Sequence, residues 1–181
     1  MLHLKNITAG NPKTAEQYQM TKRHSIVWLF SEDGKNWYEE QKNFASDTIK
    51  VAYNERGRVV WVGKDVTGIE PTNVSIIELP DITTNRRITA PGYWFYRNDE
   101  FVFDYKLKAE DERDALLKQV SIMTSEWEKD LLLGLISDED REKLKAYRIY
   151  AKSLQAMDFN IITDKTSYNA IEWPVSPEAS S

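Results

Sequence analysis

The sequence predicts an α+β fold: a β-rich N-terminal module with one short helix, then an antiparallel helical hairpin and an extended tail. Two observations carry that prediction. Up to about residue 106, apolar residues come in short runs separated by Asn, Asp and Gly turn pairs, the mark of strands and hairpins. Beyond it the apolar residues recur every three or four positions, the period of a helix with one buried face. Size agrees, since 181 residues, 41% hydrophobic and 29% charged, make one ordinary domain or two small ones. The expected divisions are a mostly-β module over 1–106, a helical hairpin over 107–158 and an extended tail over 159–181, its last residues disordered.

The elements follow in order. Thr14 stands three residues before Gln17, the spacing of a capping box, and Pro12 discourages helix ahead of it, so a helix is expected over 15–22. Ile26 to Phe30 is a continuous apolar run of strand length, closed by the turn pair Asp33-Gly34, after which Trp37-Tyr38 open a returning strand. Thr48 to Tyr53 and Arg58 to Val62 flank a second hairpin turn at residues 54–57. Val74 to Leu79 is a further strand, closed by Pro80. A third hairpin joins Tyr93–Arg97 to Phe101–Lys106 through Asn98-Asp99, giving about six strands in all.

From Glu110 to Leu133, the side chains of Leu116, Val120, Met123, Trp127 and Leu131 fall on one helical face, and Gly134 ends the helix. Trp127 is assigned to the core of this face. Ser137 then precedes Asp138-Glu139-Asp140, an N-cap with carboxylates at the positive end of a new helix dipole. Leu144, Tyr147, Ala151 and Leu154 continue it, and a short connection between two helices makes an antiparallel hairpin.

Charge and composition exclude several function classes. The formal net charge is −5 and the Lys and Arg residues are dispersed, with no basic stripe for nucleic acid. No run of about 18 apolar residues is present to span a membrane, and the N-terminus turns polar too early for a signal peptide. With no cysteine, disulfides and thiolate chemistry are absent, and folding in a cytoplasm is expected. His3 and His24 are the two histidines and lie on separate elements. Gly57 to Asp65 has one residue too many between its glycines for a phosphate loop, and Asp65 replaces the hydroxyl. The acidic clusters lack calcium-loop spacing. No catalytic residue, metal ligand or cofactor is expected, and the reading is a non-enzymatic protein that grips another protein.

The candidate gripping residues are aromatic, because Trp and Tyr are enriched at binding surfaces. Tyr150 sits at the edge of the second helix's stripe, and Tyr147 belongs to the stripe itself. Trp37 and Tyr38 lie beside a turn and Trp173 in the tail, where an aromatic either pins its segment down or meets a partner.

The N-terminal segments His3-Leu4-Lys5-Asn6-Ile7, Gly10 to Thr14 and Glu16 to Gln19 resemble the tail-fibre assembly proteins of tailed bacteriophages, especially the Mu-like branch. The resemblance continues through Ser31 to Glu40, Leu79 to Thr83, Asn85-Arg86-Arg87, Ile136 to Asp140, Leu144, Tyr147 and the closing Ile171-Glu172-Trp173-Pro174. Two departures stand: Ala156-Met157-Asp158 keeps only the Asp of the family's usual Arg-Val-Asp-like triplet, and the stretch between Asp158 and Ile171 is longer than in the family. The resemblance implies a chaperone acting on the distal, C-terminal region of a trimeric tail fibre. It would help the fibre fold and trimerise in the bacterial host cytoplasm, without a cofactor, and some relatives stay on the virion's fibre tip. Two other readings remain: a tip module that binds host lipopolysaccharide, and a minor enzyme acting on glycans through paired carboxylates. A homo-oligomer is compatible with a trimeric client.

Overall fold

The computed structural model describes the backbone of residues 1–180 and the side chains of residues 1–178. The fold is α+β, with an antiparallel sheet region followed by helices. The chain divides into two compact units, Met1–Phe103 and Asp104–Ser181.

The first unit is built on a five-stranded sheet. Its strands are β1 (His3–Gly10), β2 (Trp28–Phe30), β3 (Thr48–Asn54), β4 (Val59–Gly63) and β5 (Val74–Pro80). They lie in the order β2-β1-β5-β3-β4, all pairs antiparallel. A separate two-stranded ribbon joins β6 (Trp94–Arg97) to β7 (Glu100–Phe103). The sequence pattern did not announce β1, and the reason is local. Asn6 takes a positive φ of 47° and the register with β5 shifts between Leu4 and Ile7. The extra residue turns both Leu4 and Ile7 inward at a spacing of three, which hides the period of two.

Buried charge sits beside the sheet's hydrophobic core. The Glu78 carboxylate accepts hydrogen bonds from the Leu2 N–H (3.1 Å), the Ala45 N–H (2.7 Å) and the Thr48 hydroxyl (2.7 Å). The buried Lys50 ammonium donates to the carbonyls of Ala45 and Thr48. Burial raises the Glu78 pKa, but these three donors and the charge of Lys50 outweigh it, and the net shift is downward.

Helix α1 (Ala15–His24) starts where the capping spacing places it, the Gln17 N–H donating to the Thr14 hydroxyl at 3.1 Å. The Asn54 side-chain carbonyl accepts from the N–H groups of Arg56 and Arg58, closing the turn between β3 and β4. Gly57 ends that turn at φ +78°, and its carbonyl accepts from the Tyr96 N–H at 2.8 Å, which ties the ribbon to the sheet.

Two differences from the sequence pattern have clear causes. Trp37-Tyr38 open no strand, because Asn36 is a helix cap: its side-chain oxygen accepts from the Tyr38 N–H at 3.0 Å and starts the single turn α2 (Trp37–Glu40). Lys106 belongs to no strand, because Asp104 caps the next helix by accepting from the Leu107 N–H at 2.9 Å.

The second unit is a hairpin of α3 (Tyr105–Leu133) and α4 (Asp138–Gln155). Gly134 closes α3 in the left-handed conformation (φ +71°), and the Leu135 N–H reaches back to the Asp130 carbonyl at 2.8 Å. Ser137 caps α4, accepting from the Asp140 N–H at 3.1 Å. After α4 the chain folds back along the hairpin and carries one further helix, α5 (Lys165–Asn169), which a capping box between Asp164 and Ser167 starts. Phe159 and Ile162 bury against Ala109, and the Tyr168 hydroxyl donates to the Glu112 carboxylate at 2.6 and 2.7 Å. Pro177–Ser180 form one 3-10 turn. Ser181, the end of the stretch expected to be disordered, lies outside the described residues.

Candidate functional site

The five aromatic candidates separate sharply by environment. Trp37 is buried in the sheet unit's core with Leu4, Ile7, Ala52 and Ile76. Tyr147 and Tyr150 are buried in the hairpin with Val120 and Leu154. Trp173 is half-buried against that same cluster, with its ring 5.7 Å from that of Phe159. Tyr38 alone among the five is exposed, its hydroxyl donating to the Val27 carbonyl at 2.8 Å.

Trp37, Tyr147 and Tyr150 are therefore core residues: Trp37 pins its segment, Tyr147 lies inside the stripe, and the burial of Tyr150 corrects its place at the stripe's edge. The cause for Tyr150 is the returning tail. Trp173 and Met157 pack against the cluster that contains Tyr150, widening the buried stripe by the one position that made this tyrosine look peripheral. Burial, followed by the Glu178 carboxylate, raises the Tyr147 hydroxyl's pKa.

The hairpin's own surface offers a different site. On α3 the buried line runs through Val120 and Thr124, with Trp127 half-buried, while Met123 and Leu131 are exposed. At the end of that helix Leu132, Leu133 and Leu135 are 87%, 71% and 72% exposed. The turn geometry forces this, because a run of apolar residues at 131–136 surrounds the helix end. Two helices meet along one line only, and Ile136 alone of that run is buried.

Leu131, Leu132 and the buried Leu144 line an open groove between α3 and α4, edged by Arg141, Lys145 and Arg148 and by one carboxylate, Glu128. The three cations fall at steps of four and three along α4, so they share one face. Arg148 lies 3.8 Å from Glu128, and Lys145 is 3.6 Å from Glu142. Among the described residues Arg141 makes no ion pair. The clue in the sequence was the run Leu131-Leu132-Leu133-Gly134-Leu135-Ile136, which exceeds what a two-helix face can bury.

The arrangement provides apolar surface rimmed by fixed charge. Among the described residues, no group of three or more His, Asp or Glu side chains is placed to hold a metal ion, and no helix is long and apolar enough to cross a membrane. His3 lies against aromatic rings, its Nε2 2.8 Å from the Tyr53 hydroxyl and its ring 5.6 Å from that of Tyr96.

This chain belongs to the family described as Caudovirales tail fibre assembly protein, lambda gpK, which it matches over residues 39–178. It is 44% identical to the tail fiber assembly protein U' of Escherichia phage Mu, over 98% of this chain and the whole of that protein. The tail fiber assembly protein U' of Escherichia phage P1 is similar to the same degree and extent. The probable tail fiber assembly protein of Escherichia phage P2 is 38% identical over the same shares.

Proposed function

We propose that this chain is a non-enzymatic assembly chaperone that binds the distal, C-terminal region of a phage tail fibre and promotes its folding and trimerisation in the infected bacterium. The names of its full-length relatives support the assembly role. The observation that carries the binding role is the exposed leucine end of the hairpin. Each leucine that a partner covers contributes at most about 1.5–3 kcal/mol, so three or four supply a useful share of a stable contact.

The physical task is plain. Fibre chains expose apolar surface and unpaired strand edges until they register as a trimer, and exposed edges aggregate. A protein that binds the assembly-competent form shifts the equilibrium toward it by mass action.

The test is co-expression of this chain with the C-terminal region of the tail fibre from the same phage, followed by size exclusion with light scattering. The expected result is soluble fibre trimer that appears only with this chain present and co-elutes with it. Trimer forming equally well alone, without co-elution, would refute the reading for that pair.

A further inference from the structure

We infer that the groove at the hairpin end docks a segment of the client that sets a carboxylate beside apolar side chains. This inference rests on the proposal that the client is a tail fibre, and it adds where that client sits and what chemistry it presents.

The groove combines an apolar floor with a cationic rim. Leu131, Leu132 and Leu144 line the groove, Arg141, Lys145 and Arg148 border it with the carboxylate of Glu128, and the Glu142 carboxylate stands 3.6 Å from Lys145. Three cations against these two carboxylates leave one positive charge in excess on this face, in a chain whose net charge is −5.

The internal partners leave these cations available. The 3.8 Å separation of Arg148 and Glu128 is too long for a hydrogen bond, and the Lys145–Glu142 pair is a solvent-exposed contact of the kind that contributes little. Arg141 has no ion pair among the described residues. A guanidinium beside leucines is matched by a carboxylate that it can hold with two parallel hydrogen bonds while the neighbouring apolar atoms fill the groove. A second copy of this chain is a poorer occupant. A two-fold contact would set the three cations of one copy against the same three of the other.

The experiment uses the full chain, immobilised after co-expression with the C-terminal region of the tail fibre from the same phage. Fibre retained per chain is measured at increasing NaCl. Three forms are compared: the natural chain, Arg141→Glu with Lys145→Glu, and Leu132→Asp. Circular dichroism and Tm establish that each is folded, as expected for changes at exposed positions.

The inference expects the natural chain to retain fibre with a marked salt dependence. It expects the charge-reversed form to lose about tenfold or more, and Leu132→Asp to lose a similar amount. Folded variants that both retain fibre within about twofold of the natural chain would overturn the groove assignment and leave the chaperone reading intact. The same holds if Leu132→Asp turns a dimer into a monomer by light scattering without changing fibre retention, because the occupant is then a second copy. A natural chain that retains no fibre would refute the chaperone reading itself, and this inference with it.

Discussion

The sheet unit covers all four of its leucines at least in part, whereas the hairpin unit leaves Leu131, Leu132, Leu133 and Leu135 exposed. In the sheet unit Leu4, Ile7, Trp37, Val51 and Ile76 are buried, and β3 has five consecutive buried residues between its ends. In the hairpin unit Val120, Tyr147, Tyr150 and Leu154 make a narrow core, while Leu132, Leu133 and Leu135 face outward at its end. The contrast separates residues that hold a unit together from residues available to something else. Size and chemical type do not draw that line, because a tryptophan beside a turn lies inside and a leucine on a helix lies outside.

Substitutions at buried and exposed positions should therefore diverge, and the largest effect falls on Trp37. Trp37→Ala removes the biggest fully buried side chain of the sheet unit and should destabilise it by about 3–5 kcal/mol, read from denaturant unfolding. A loss below about 1 kcal/mol would remove Trp37 from the core and return it to the list of contact residues.

Trp173→Ala comes next. Its ring packs against Phe159 and the Tyr150 cluster, so the expected cost is about 2–3 kcal/mol from a half-buried aromatic. Protease cleavage after α4 should accelerate as the tail loosens. Unchanged stability with lost fibre binding would instead make Trp173 a contact.

Gly57→Ala tests the link between ribbon and sheet. A methyl group there would stand 2.4 Å from the Tyr96 carbonyl oxygen, on a backbone at φ +78°. The expected loss is about 1–3 kcal/mol, with faster amide exchange at Tyr96.

Acid should act on the sheet unit through Glu78. Its pKa is lowered in the folded protein, so its contribution is full above the ordinary glutamate value near about 4.3. It is lost as pH falls through the lower folded value. Unfolding midpoints measured from pH 6 to pH 3 should decline, and Glu78→Gln should flatten that part of the decline. An identical pH dependence in the variant would assign the effect to other carboxylates.

The smallest expected effect on stability belongs to Leu132→Asp, within about 0.5 kcal/mol. A much larger loss would mean that the leucine end is packed, and the comparison between the two units would fail at that point.

Local chemistry made much of the fold legible in advance. Thr14, Gly134 and Ser137 announced helix ends because a cap needs only a few neighbouring atoms. The turns at residues 54–57 and 98–99 and the stripe of Leu144, Tyr147 and Leu154 were readable for the same reason, since period and turn type are short-range properties. The strand β1 was hidden by the bulge at Asn6, and Asn36 converted an expected strand start into a helical turn. The binding candidates were the least legible, because whether an aromatic meets solvent depends on segments far away in sequence. Trp173, eighteen residues beyond the end of α4, packs against the cluster that holds Tyr150.

By itself, then, the sequence determined the α+β class, the caps at Thr14, Gly134 and Ser137 and the family to which the chain belongs, all of which rest on neighbouring residues or on direct resemblance. Only the tertiary structure decided which apolar side chains are inside and which remain outside. Burial is set by how much surface two packed elements can cover: two helices cover one stripe each, and the leucines beyond that stripe are left to face solvent.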